Sequence, residues 1–148
     1  MVKILVIEDE MEIRANLLEL LALEGHDVIG ADNGVTGLVG AMEFQPDLIL
    51  CDVMMPELDG YDVLSALRQE PETALIPFIF LTAFADKGDI RQGMALGADD
   101  YLTKPFTCSE VLEAIETRLK RQMLVAENFE ARQAQIAAQQ KKAQQFRD

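Results

Sequence analysis

Five groups with chemistry to offer each follow an apolar run: Glu8 and Asp9 after "KILVI", Asp52 after "LILC", Thr82 after "PFIFL" and Lys104 after "DYLT". Any one of them alone reads as a turn or cap residue. Together they are three carboxylates, a hydroxyl and an ammonium at the ends of four hydrophobic segments. Carboxylates brought within 4 Å repel by about 4 kcal/mol per pair at an effective dielectric near 20, so the set calls for a cation. Oxygen donors without sulfur or imidazole suit Mg²⁺, which keeps several waters and takes one or two carboxylates. Asp9 and Asp52 are the expected direct ligands, with the backbone carbonyl of Met54 a third where the chain turns. Glu8, one methylene longer, would act through water.

A carboxylate beside such a cation can attack phosphorus and form an aspartyl phosphate. Asp52 is the expected acceptor. Phosphoryl transfer is mostly positioning and electrostatics, and three donors are at hand: the Lys104 ammonium, the Thr82 hydroxyl and the Ala83 N–H. The same parts fit three uses: a phosphorylatable switch, a Mg²⁺-dependent phosphohydrolase with an aspartyl-phosphate intermediate, and an interaction module that never loads metal. A hydrolase of the best-known kind would carry a second acid two residues after its nucleophile, where this chain has Met54.

The elements that must position these groups are legible as alternating patterns. Strand-length apolar runs occur at 3–8, 27–31, 48–51, 77–82 and, more weakly, 100–103. They are continuous rather than alternating, as in strands buried on both faces of a parallel sheet. Helical stripes lie between them: Ile13, Leu17, Leu20 and Leu21 before Gly25; Leu38, Ala41 and Met42 before Pro46; Val63, Leu64 and Leu67 before Pro71; Ile90 and Met94 before Gly97. The fifth helix opens on a capping box, Thr107 with Glu110, and continues through Val111, Leu112, Ile115 and Leu119. Five strands alternating with five helices predict an α/β fold with a parallel sheet and right-handed crossovers. In such sheets ligands bind beyond the carboxyl ends of the strands, which gathers all five groups on one edge.

Composition narrows the function classes. At 148 residues and 49% hydrophobic, the chain can bury a core, and no apolar run approaches the roughly 18 residues of a membrane span. Residues 1–122 hold 23 acids against 9 bases, whereas 123–148 hold 3 against 4. An acidic globule repels phosphate backbones, so no direct nucleic-acid contact and no membrane contact are expected. Cys51 and Cys108 make no disulfide framework and suit a reducing, cytoplasmic setting, and His26 stands alone, which excludes a multi-histidine metal site.

The segments "VIEDE", "LILCDVMMPELDG", "IFLTA" and "GADDYLTKPF" resemble, in order and spacing, the receiver domain of two-component response regulators over about residues 2–122. The resemblance implies a flavodoxin-like, doubly wound five-stranded sheet of order 2-1-3-4-5 flanked by five helices. It also implies Mg²⁺-dependent phosphorylation of Asp52 by a partner histidine kinase or phosphotransfer protein, with Glu8 and Asp9 as the acid pair. By position, Thr82 is the switch hydroxyl, Tyr101 the switch aromatic and Lys104 the basic residue, and the bond from Lys104 to Pro105 is expected to be cis. Thr82 would move to the phosphoryl oxygens, Tyr101 would enter the vacated space, and the face of helix four, strand five and helix five would signal to a downstream protein target. The dimeric transcription-factor branch typically has a basic residue on helix five where this chain has Ala114, which argues against that branch's salt-bridged dimer.

The domain plan is a receiver at 1–122 and a helical extension at 123–148. Neither Gly nor Pro occurs from Cys108 to Asp148, and "QAQIAAQQKKAQQ" favours helix. Phe129, Ile136 and Ala143 recur every seven residues with Val125 and Phe146 beside them, but Arg132 and Gln139 interrupt the partner row. The extension reads as a self-associating helix forming a homodimer, a linker toward a further domain, or a solvated tail. The chain is then either a stand-alone regulator or the input domain of a longer regulatory protein.

Overall fold

The computed structural model describes residues 2–83 and 87–146, with 87–89 described by backbone alone. Five strands, β1 (Lys3–Ile7), β2 (Asp27–Ala31), β3 (Leu48–Asp52), β4 (Phe78–Thr82) and β5 (Asp100–Thr103), alternate with five helices. These are α1 (Met11–Leu23), α2 (Gly34–Phe44), α3 (Gly60–Gln69), α4 (Lys87–Ala95) and α5 (Cys108–Gln145). All neighbouring strands pair in parallel, in the order β2-β1-β3-β4-β5. The expected fold, including the extended last helix, is the one observed.

The continuous apolar runs are buried on both faces. In β1, β3 and β4 successive side chains point to opposite sides. Leu5, Ile7, Ile49, Cys51, Phe78 and Phe80 pack in one cluster with Ala41 of α2 and Val63, Leu64 and Leu67 of α3. The alternate residues Ile4, Val6, Leu48, Leu50, Ile79 and Leu81 are also fully buried. Leu17 and Leu21 of α1 are buried, as their stripe predicts.

The helix boundaries follow local chemistry. Gly25 and Gly97 adopt positive φ just after α1 and α4, the left-handed conformation that ends a helix. Thr107 and Glu110 form the expected box: the Glu110 N–H donates to Thr107 Oγ1 at 3.1 Å and the Thr107 N–H to Glu110 Oε1 at 3.2 Å. Asp59 and Asp62 form a second box at the start of α3.

The chain divides into two compact units, residues 1–114 and 115–148. The first holds the sheet and the polar edge. The second includes the rest of α5, and every described residue from Lys120 to Phe146 is exposed, Phe129 and Ile136 included.

Candidate functional site

Strand register builds the site. Ile7 lies beside Cys51, Asp52 beside Leu81, and Thr82 beside Thr103, so β1, β3, β4 and β5 finish at nearly one level. The residues that follow emerge side by side. The Lys104 N–H donates to the Thr82 carbonyl at 2.7 Å and the Val53 N–H to Leu81 at 3.1 Å, which ties the chain down as it leaves the sheet. The Lys104–Pro105 bond is cis, as the resemblance implies.

Glu8, Asp9 and Asp52 each offer an oxygen within 4.8 Å of the others. Glu8 is 0% exposed, Asp52 4% and Thr82 3%. Lys104 reaches in from just beyond β5 and donates to Glu8 Oε1 at 2.8 Å, with its Nζ 3.5 Å from Asp52 Oδ2. Met54 stands 62% exposed in the loop after β3, and Ala83 is exposed directly after β4. Tyr101 is half-buried in β5, its ring centroid 5.2 Å from that of Phe80. The structure therefore brings Glu8, Asp9, Asp52 and Lys104 into direct proximity, with Thr82 and Ala83 at the end of the adjoining strand.

The electrostatics are those of a cup with more negative charge than one lysine can balance. Burial, and then the charge of Glu8, push the Asp52 carboxyl up from 3.8 to about 7, against the pull of Lys104. Glu8 is also raised, chiefly by burial. Burial would lower Lys104, but its hydrogen bond to Glu8 and the charge of Asp52 outweigh that and raise it. Glu8 Oε2 is buried with no hydrogen-bond partner, a costly state for a carboxylate oxygen. Three clustered carboxylates, one orphaned buried oxygen and no sulfur or imidazole donor fit a hard divalent cation.

Residues outside the apolar-run pattern also shape the site. Arg14 of α1 donates from Nη1 to the Glu8 carbonyl at 2.7 Å, which fixes the backbone at the first acid of the pair. Its only sequence signal is its place one turn into the helix that follows the acid pair. Gly60 opens α3 directly against the end of β3: a Cβ there would run into the Asp52 carbonyl and lie 2.9 Å from Val53 Cα. The sequence marks Gly60 as a breaker after "PELD", and the structure shows that it is needed for space.

This arrangement has known counterparts. Residues 4–116 match the response regulator receiver domain family, and the chain belongs to it. It is 42% identical over 121 residues to the DNA-binding dual master transcriptional regulator RpaA of Synechocystis sp., covering 82% of this chain and 50% of RpaA. Among solved structures it is similar to the chemotaxis protein CheY4 of Vibrio cholerae, with TM-score 0.77 and 29% identity over 79% of this chain and 98% of CheY4. The receiver domain of the Pseudomonas aeruginosa sensor histidine kinase PA1611, solved with a magnesium ion in its active-site cleft, matches at TM-score 0.73 and 30% identity, over 78% and 95% of the two chains. The fold is thus that of a two-component signalling receiver, consistent with a phosphoacceptor switch.

One expectation is corrected. The acidic surface led to an exclusion of nucleic acid, but RpaA is DNA-binding by name and the chain spans about half its length. The physical reason lies in the reach of the charge argument. Phosphate repulsion describes the acidic residues that carry it, and a regulator can contact DNA through a different part of its polypeptide. As for membranes, no helix among the described residues is long and apolar enough to cross one.

Proposed function

We propose that Asp52 accepts a phosphoryl group from a phosphohistidine of a partner kinase or phosphotransfer protein, and that the chain catalyses only this transfer and its own dephosphorylation. The observation that carries the reading is the buried cup in which Asp52 stands 3.5 Å from Lys104 and within 4.8 Å of two further carboxylates. An Asp52 carboxylate oxygen attacks phosphorus, the P–N bond to the donor imidazole breaks, and the imidazole nitrogen takes up a proton. Lys104, the Thr82 hydroxyl and the Ala83 N–H meet the charge on the phosphoryl oxygens. Asp9, Asp52 and the Met54 carbonyl would hold Mg²⁺, with Glu8 acting through water. Bound there, the cation supplies Lewis-acid neutralisation of the transferred group.

Thr82 and Tyr101 form the switch in this reading. Phosphorylation adds charge and acceptor oxygens at Asp52, Thr82 turns toward them, and Tyr101 reports the change to the α4–β5 face. The free thiols of Cys51 and Cys108 suit a cytoplasmic setting. Given the half-length match to RpaA, the downstream partner includes either a protein target or a DNA-binding region of a longer regulator.

Incubation with acetyl phosphate and Mg²⁺, followed by intact mass measurement, tests the proposal. One phosphate is expected on the wild type, and none on Asp52→Asn or in excess EDTA. Rapid multiple turnover of simple phosphate esters would replace the switch by a phosphohydrolase.

A further inference from the structure

We propose that Gly93 is the seat of Tyr101: the side chain missing from α4 at this position is the space in which the tyrosine hydroxyl rests, and it thereby sets the starting position of the switch. The inference rests on the reading of Tyr101 as the switch aromatic and adds the residue that positions it.

Gly93 lies inside α4, between Gln92 and Met94. Glycine is unfavourable in a helix interior because it leaves the unfolded chain more freedom to lose. Its backbone does not require glycine either: among the described residues the glycines with positive φ are Gly25 and Gly97. Space is what remains. A Cβ on Gly93 would overlap the Tyr101 hydroxyl oxygen and lie 2.9 Å from both Tyr101 Cζ and Phe80 Cε2. Real Cβ atoms do not approach that closely, so the Tyr101 ring, which holds the nearest atom, would have to leave.

Burial shows that Tyr101, unlike Phe80, has somewhere to go. Phe80 is fully buried and held between Phe78, 4.9 Å away, and Tyr61, 5.2 Å away, so it has nowhere to go. Tyr101 is half-buried on an edge strand and can swing toward solvent. Phe80 also stands two residues before Thr82 and directly beside Tyr101 in the β4–β5 register. A continuous set of contacts thus runs from the strand that carries the switch hydroxyl, through Phe80, to the Tyr101 ring and the Gly93 backbone. Gly93 is a positioning residue, acting through Tyr101 and touching neither phosphoryl group nor metal.

The chain has two tyrosines and no tryptophan, so Tyr61→Phe leaves Tyr101 as the sole tyrosine emitter. In that background, acrylamide quenching of tyrosine emission is measured with and without Mg²⁺ and beryllofluoride, and phosphate uptake from acetyl phosphate is followed by intact mass. Gly93→Ala should raise the resting quenching constant at least twofold and make it insensitive to beryllofluoride. Resting quenching equal to that of the Gly93 parent would overturn the proposal. If the parent takes up phosphate yet its Tyr101 signal does not respond, the switch reading fails, while the resting comparison still judges the seat.

A second readout covers loss of folding. Gly93→Ala should lower the melting temperature when residue 101 is tyrosine, and by clearly less in a Tyr101→Ala background, where the Phe80 ring edge is the close contact that remains and the vacated space lets it shift. An equal fall in both backgrounds, or failure of Tyr101→Ala to rescue an unfolded Gly93→Ala protein, would sink the assignment.

Discussion

At the scale of single residues the site is poised by repulsion. Below about pH 4 both folded and unfolded chains carry the Asp52 proton; between 3.8 and about 7 the unfolded chain releases it while the folded one retains it. Unfolding then releases a proton, so stability falls as pH rises through this window, and the loss is complete above about 7. In EDTA the melting temperature should therefore drop between pH 5 and 7.5, by roughly 2–4 kcal/mol of stability. Asp52→Asn should flatten the profile and melt higher than wild type at pH 7.5, as read by circular dichroism. A divalent cation should reverse the wild-type loss, contributing about 2.7 kcal/mol at one hundred times its dissociation constant. Glu8→Gln removes the second cause of the raised Asp52 carboxyl, so the midpoint of pH-dependent phosphorylation should move to lower pH.

At the scale of elements, the strand ends deliver the reacting groups and the loops behind them keep those ends in place. Gly60→Ala would press on the Asp52 carbonyl, which is backbone and cannot rotate away. Urea denaturation should show a loss of about 1–3 kcal/mol, with slower phosphorylation because the acceptor strand end shifts. The opposite edge of the sheet has its own fastening. Arg68 of α3 donates to the carbonyls of Ile76 and Gly97, both at 2.8 Å, and lies 3.5 Å from Asp99. Arg68→Ala should cost about 1–3 kcal/mol by orphaning those carbonyls, yet leave phosphate uptake unchanged, since none of these groups stands among the clustered acids. Comparing both variants by denaturation and mass separates the edge that holds the sheet from the edge that does chemistry.

At the scale of the whole molecule, α5 runs for 38 residues from Cys108 to Gln145, and its described residues from Lys120 onward are all exposed. A chain ending at residue 122 should keep the melting temperature of the full protein within about 2 °C, because the described positions it loses are all exposed. Its molar ellipticity at 222 nm should fall with the missing helical turns. A large drop in melting temperature would mean that the extension is covered in solution. Coverage by a second copy would show in sedimentation as a concentration-dependent mass.

Sequence alone determined the alternation of strands and helices, the gathering of Glu8, Asp9, Asp52, Thr82 and Lys104 on one sheet edge, and the capping box at Thr107. Each is written in local periodicity or in position relative to an apolar run, and parallel winding turns such positions into neighbours. Tertiary structure alone decided that Lys104 bonds Glu8 more closely than it approaches Asp52, that Glu8 is wholly buried with one oxygen unpartnered, and that Arg14 backs the acid pair. It also decided that Gly60 and Gly93 are glycines for want of room and not for conformation. Those facts depend on contacts between segments far apart in the chain, at distances where a single methylene decides who is bonded. No periodicity within one segment records what will stand opposite it.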